Sequence, residues 1–392
     1  MRRLTLFVSL VVSLDLAMYS AIVPLLPDFA DRHDLSKVQS GLLFGGFSAA
    51  VLLFAVPVGH LADRIGCKIV TVVGSVLMAA ATAGFALSET YPLLLTTRIA
   101  QGIASAIVWS AALAWLAEST PEDRRGTEIG FANAAATAGL VAGPLLGGVV
   151  ASAVGVREAF LGAAVLSLGL AWWGLTQRDA PTSPSRERSF RPALRAAASE
   201  PMIAASLLVI TLVAVVGGTL QVLMPLHLGA DDVSQTSIGW LYSAGAVIGA
   251  VAIAATGRIG DRVGRPTVAL VDCVVLAALL LILLAPLGTV PFAVMLVIAS
   301  PVMSVLYGIG YPLGADGADA AGLGHGLVMG IVNLVWGIGA VIGPIVGPAI
   351  GGSAGDSTAY VLLAVLSLLT AAALRVPGRV RRPLGRPSEE CL

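Results

Sequence analysis

The stretch "GHLADRIGCK", residues 59–68, places Asp63, Arg64 and Lys68 between two long apolar runs, and a near copy, "GRIGDRVGRP", returns at 257–266. The matching acids, Asp63 and Asp261, stand 198 positions apart in a chain of 392 residues. A second pair repeats at almost the same interval: "GLVAGPLLGG" at 139–148 and "GAVIGPIVGP" at 339–348, offset by 200. Two matched segments at one spacing mean that the second half of the chain is built like the first.

The solvent for these halves is lipid. The chain is 57% apolar and 12% charged, with a mean hydropathy of +0.91, whereas a soluble domain carries about 25% charged residues. About 20 apolar residues cross the hydrocarbon core, and a helix satisfies its own backbone there. Breaks at charged and Pro/Gly clusters predict twelve spans, at about 4–27, 38–58, 69–87, 91–117, 126–152, 157–175, 201–227, 236–256, 267–286, 290–314, 324–350 and 358–374. The first is too long for a secretory signal, is interrupted by Asp15 and has no clean small-x-small cleavage site, so it is read as a span.

The net charge of zero hides an asymmetry. With the N-terminus inside, 19 of the 23 Lys and Arg fall on cytoplasmic segments and only Arg32, Lys37 and Arg157 on outer loops. The positive-inside rule then puts both termini in the cytoplasm of a multi-pass protein of the inner or plasma membrane. The polar stretch 176–200, with five Arg, is the expected linker. It separates a six-helix bundle, 1–175, from a second, 201–375, followed by a cytoplasmic tail, 376–392. The fold expected is all-α: twelve transmembrane helices in two six-helix bundles, related as a pseudo-two-fold parallel repeat, an arrangement on which transporters build alternating access.

Three segments carry a family resemblance. Gly59-x-x-x-Asp63-Arg64-x-Gly66-x-Lys68 resembles the signature between helices two and three of the major facilitator superfamily, with a weaker copy around Asp261 and Arg262. "RIAQG" at 98–102 is similar to the family's fourth-helix motif. Gly139-x-x-x-Gly143-Pro144-x-x-Gly147-Gly148 resembles the fifth-helix pattern of drug/proton antiporters, and "LDLAMYSAIVPLLPDF" at 14–29 resembles the first helix of multidrug exporters and vesicular amine transporters. The resemblance implies a cytoplasmic latch: Asp63 on the start of span eleven near Gly324, and Asp261 on span five near Gly126, each favoured by the positive end of a helix. It also implies a drug/proton antiporter. It departs from the amine transporters at Val302 and Asn333, which stand where acids are expected in helices ten and eleven.

The residues add their own reasons. Gly59 and Gly66 allow a tight turn and close helix approach. Gly139, Gly143 and Gly147, like Gly339, Gly343 and Gly347, recur every fourth residue and give one small helical face for close packing, with Pro144 and Pro344 expected to kink their helices. Asp15 and Arg98 lie in the middle third of their spans, where each costs about 2.5–3.5 kcal/mol unless paired or hydrated. Such a carboxyl, alternating between dry and hydrated surroundings, is the expected proton carrier, with its proton affinity set by Arg98 and solvent access. Tyr19, Gln101, Ser105 and Trp109 lie on the same helix faces, and Gln221, Tyr307, Tyr311, Asn333 and Trp336 are the facing candidates from the second half. Aromatic faces around one acid suit organic cations and amphiphilic aromatics.

A proton-coupled exporter of small amphiphilic or cationic organic compounds is therefore expected, acting as a monomer whose partners are substrate, protons and the bilayer. The alternative is a proton symporter importing a sugar or organic acid. Enzymatic chemistry is not expected: "GGSAG" at 351–355 has serine-hydrolase spacing but not the strand-turn-helix setting. No phosphate-binding Gly-Lys-Ser/Thr loop occurs, Cys67, Cys273 and Cys391 lack metal-site spacing, and no cofactor, metal or nucleic acid is implied.

Overall fold

Apolar runs that can satisfy their backbones in lipid only as helices do so throughout. The computed structural model describes residues 2–179 and 200–375, and these are all helix and connecting turn. Twelve helical stretches are long and apolar enough to cross a membrane: Arg2–His33, Lys37–Ala62, Cys67–Ala86, Tyr91–Ser119, Asp123–Val154, Val156–Leu175, Pro201–Ala230, Gln235–Val263, Arg265–Ile282, Thr289–Ala321, Leu327–Ala354 and Asp356–Leu374. They are spans one to twelve below. Residues 180–199 of the expected linker and the expected tail, 376–392, lie outside the described residues.

Two boundaries differ from the sequence reading for identifiable reasons. Span one continues to His33, but Pro24 and Pro27 lack the N–H groups a helix needs, so it breaks into helix Arg2–Ser20, a 3-10 turn Val23–Leu25 and helix Leu26–His33. The charged stretch 59–65 is not a loop: the second helix runs from Lys37 to Ile65, straight through it. Gly59 therefore makes no turn, and a side chain there would meet nothing within 4 Å. The turn is made at Gly66 alone, at φ +93°, and its copy Gly264 has φ +95°, a backbone region that penalises any side chain.

Packing follows the glycine faces. Span five lies on span one, with Gly139, Gly143 and Gly147 against the backbone of Ser13, Ala17 and Ala21. Span eleven lies on span seven in the same way, through Gly339, Gly343 and Gly347 against residues Thr211 to Thr219. The proline positions are used as well as tolerated. Pro144 leaves the Leu140 carbonyl without its helical donor, and Ser20 Oγ, which donates to the Leu16 carbonyl at 2.9 Å, shares that hydrogen with it at 3.4 Å. Beyond Pro144 the helix passes into a π turn, Leu146–Val150, before Ala151–Val154. The largest buried apolar cluster draws only on residues 205–374, and another draws only on residues 4–170.

The two halves meet at the face opposite the basic turns. There Lys37 Nζ bonds both carboxylate oxygens of Asp356, at 2.6 and 2.7 Å. Gln235 donates to the Gly147 carbonyl, Thr236 Oγ1 to that of Gly148 at 3.3 Å, and Ser243 Oγ to that of Val141 at 2.9 Å. A Cβ built on Gly41 would stand 2.0 Å from the Pro344 carbonyl oxygen, and one on Gly239 would stand 2.6 Å from that of Pro144. At the basic face the corresponding glycines, Gly59, Gly126, Gly130 and Gly257, meet nothing within 4 Å. The molecule is closed at the far face and parted at the basic one.

Candidate functional site

Span four presents Arg98, Gln101, Ser105 and Trp109 along one stripe, at helical spacings of three and four, toward span one. Asp15, on span one, is 2% exposed. Its Oδ2 accepts hydrogen bonds from Ser105 Oγ at 2.9 Å and from the Trp109 indole N–H at 2.6 Å. Its Oδ1 is buried with no hydrogen-bond partner among the described residues.

Among the described residues Arg98 makes no hydrogen bond or ion pair with Asp15, so any influence on that carboxyl acts through space. Its fully buried guanidinium donates to Gln101 Oε1 at 2.8 Å, to the Met18 carbonyl at 3.1 Å and to the Tyr19 carbonyl at 3.4 Å, and lies 5.0 Å from the centre of the Phe47 ring. The two carbonyls sit where span one approaches its Pro24 break. Gln101 passes the network on to Thr82 Oγ1 at 3.0 Å. Arg98 thus clamps spans one and four, while Asp15 faces the next turns of span four. Tyr19 stands between them, its ring 5.1 and 5.3 Å from Phe44 and Phe47.

In the second half, the Tyr307 and Tyr311 rings lie 5.1 Å apart, tilted by 57°, their hydroxyls are 3.4 Å apart, and Tyr311 Oη donates to Asn333 Oδ1 at 2.8 Å. Tyr307 is 39% exposed. Trp336 packs beside Tyr311 on a small buried cluster, and Gln221, half-buried on span seven, hydrogen-bonds to neither group among the described residues. The first half therefore offers a carboxyl behind an indole, and the second an aromatic and amide surface without charge.

Of the expected latch residues, Asp261 pairs with Arg265 of its own half at 3.2 Å, Arg265 also bonds Asp316, and among the described residues Asp261 makes no hydrogen bond or ion pair to span five. Arg64 and Arg262 are exposed, Lys68 donates to the Gln177 carbonyl at 2.6 Å, and the Asp63 side chain lies outside the described residues. The sequence reading missed Lys37, Gln235 and Asp356, whose signal was available: each polar side chain begins a span, at a far-face end expected to be simply solvated.

The sequence profile of the Major Facilitator Superfamily matches residues 6–324. An MFS-type transporter, ppzB, of Metarhizium majus is 32% identical over 169 residues, 41% of this chain and 37% of that protein. Multidrug resistance protein 1 of Bacillus subtilis is 26% identical over 166 residues, 42% of this chain and 43% of that one. The alignments thus span less than half of each relative's length. Among solved structures, a bacterial homologue of the human lysosomal transporter Spinster, in an inward-facing and unoccupied conformation, superposes with a TM-score of 0.78 over 96% of both chains at 19% identity.

Proposed function

The chain belongs to the Major Facilitator Superfamily, and from that membership we propose that it is a proton-coupled exporter of small amphiphilic or cationic organic compounds, working by alternating access. The observation that carries this reading is the Asp15–Trp109 hydrogen bond, 2.6 Å long, between a buried carboxyl and a half-buried indole. A substrate that stacks on Trp109 disturbs the bond holding Asp15, so substrate and proton compete through one side chain. A relative named as a multidrug resistance protein supports the substrate class. The uncharged Tyr307, Tyr311 and Asn333 surface opposite supports apolar aromatic ligands over sugars, which need many directed hydrogen bonds. Taking the basic face as cytoplasmic, this reading makes the far-closed conformation the inward-open state, ready to load from the cytoplasm.

One charge moved across 100 mV is worth about 2.3 kcal/mol, close to a fifty-fold gradient. The test is ethidium movement in everted vesicles under an imposed pH gradient. Uphill movement into the vesicles, driven by an acidic lumen and lost in Asp15→Asn, is the expected result. Movement in the opposite sense identifies a symporter, and uphill transport that persists in Asp15→Asn removes Asp15 from the coupling role.

A further inference from the structure

Asp15 has two oxygens in different surroundings, and the second one is unexplained by anything above. Oδ2 is occupied by Ser105 and Trp109. Asp15 lines a small cavity of about 10 Å³ together with Val11, Leu14, Ser75, Met78, Ser167 and their neighbours, and Oδ1 is its oxygen without a partner among the described residues. Every lining residue comes from spans one, three, four and six, so this space lies inside the first bundle and not between the halves. Ser75 and Ser167 are 2% and 3% exposed. Their hydroxyls already donate, Ser75 Oγ to the Thr71 carbonyl at 3.0 Å and Ser167 Oγ to the Ser75 carbonyl at 2.9 Å. Each hydroxyl oxygen therefore keeps lone pairs for a further donor.

A cavity of this size has room for one water, and a buried water needs two to four polar partners. Asp15 Oδ1, Ser75 Oγ and Ser167 Oγ supply three. We infer that the cavity is a binding site for a single water molecule, which bonds Asp15 Oδ1 from behind and makes that oxygen the one that takes and gives up the transported proton. The inference rests on the proton role proposed for Asp15. When the carboxyl is ionised, the water donates to Oδ1; when Oδ1 carries a proton, it donates to the water, whose own hydrogens turn to Ser75 and Ser167. Substrate acts on Oδ2 through Trp109, and the proton is held at Oδ1 within the bundle. The charged group that faces Asp15 from a neighbouring element is Arg98 on span four; Glu128 on span five lies toward the basic end, where it accepts from Thr5, ten residues away from Asp15 along span one. Spans three and six contribute none at this depth. Ser75 and Ser167 are positioning residues here: they touch the water and not the substrate.

The experiment is infrared titration of the full chain in lipid nanodiscs, without substrate, following the protonated-carboxyl band that is lost in Asp15→Asn. In Ser75→Ala/Ser167→Ala the cavity becomes apolar and dry, the ionised form loses its partner at Oδ1, and the titration midpoint moves to alkaline pH by about one unit, a tenfold change in proton concentration. Ser75→Thr, which keeps the hydroxyl, holds the wild-type midpoint. Ethidium affinity at alkaline pH, above the midpoints of wild type and variants, changes less than about twofold in all variants that keep their helical circular dichroism, because the cavity is outside the seam between halves. A midpoint that ignores the loss of both hydroxyls overturns the water site and leaves Asp15 as the proton carrier. A chain with no Asp15-dependent band at any pH overturns both.

Discussion

At the scale of single residues, the two buried charges of the first half bond to different groups. Arg98 is a clamp, using a planar guanidinium to gather the Met18 and Tyr19 carbonyls and Gln101. Lys has one compact charged head and cannot span those acceptors. Arg98→Lys is expected to lower the thermal unfolding midpoint in detergent and cut flux tenfold or more, with the pH profile of the remaining flux unchanged; a displaced profile with normal stability reverses the assignment. Trp109 carries the opposite signature. Trp109→Phe keeps an aromatic wall but removes an N–H donor from a carboxylate. A hydrogen bond to a charged group is worth about 1.5–3 kcal/mol and one pH unit corresponds to about 1.36 kcal/mol. The ionised form loses more than the neutral form, so the proton is held more tightly and the flux profile moves to alkaline pH by about one to two units. An unmoved profile in pH-jump efflux assays shows that the indole does not govern the proton. The stripe of Arg98, Gln101, Ser105 and Trp109 was legible in the sequence because helical spacing alone puts those residues on one face. Which of them meets Asp15 was not, since that depends on how far span one slides along span four.

At the scale of elements, the glycines of spans two and eight are matched to prolines of spans eleven and five. Pro348 supplies no N–H to the Pro344 carbonyl, four residues earlier, which leaves that oxygen free to face Gly41 across the seam. Gly239 covers the Pro144 carbonyl, beside a π turn whose Gly147 and Gly148 carbonyls accept from Gln235 and Thr236. Neither glycine turns the chain; each lets two helices of different halves touch backbone to backbone. Gly41→Ala puts a methyl 2.0 Å from backbone oxygen, a contact that cannot form. The far face then stays parted. Expected results are flux below about a tenth of wild type, loss of accessibility of Asn333→Cys to a membrane-impermeant thiol reagent from the basic side, and gain from the far side; unchanged labelling refutes the seal. The repeat of glycine and proline was readable at offsets of 198 and 200. Its consequence was not, because a four-residue glycine spacing serves contacts inside a half, as on spans one and seven, just as well as contacts between halves. The helical course of residues 59–65 was hidden for a related reason: charge ends an apolar run without ending a helix.

At the scale of the whole molecule, transport needs a second state in which the basic face closes as the far face parts. The two-fold likeness of the halves says what should close it: the charged ends of spans two and eight, which carry Asp63 and Asp261, against the starts of spans eleven and five. In the state described here Asp261 is held instead by Arg265, within its own half. Replacing both acids, Asp63→Asn with Asp261→Asn, removes two charge-to-helix-end attractions, each worth about 0.3–1 kcal/mol, from the closed-basic state only. The population is expected to shift toward the present state by about threefold to thirtyfold, with slower turnover and little change in ethidium affinity, because neither residue lies near Asp15 or Tyr307. The glycine substitution acts on the other side of the same equilibrium. Gly41→Ala penalises the far-closed state, so the triple variant carries opposed perturbations, and the distribution it reports separates a true two-state balance from two unrelated defects. Spin-label distances across each face supply the measurement. If the faces are coupled, adding Asp63→Asn and Asp261→Asn to Gly41→Ala returns part of the lost basic-open population. If the double acid variant leaves the distances of Gly41→Ala untouched, the latch does not act on this equilibrium, and the repeated charged turn serves only to fix which side of the membrane it lies on.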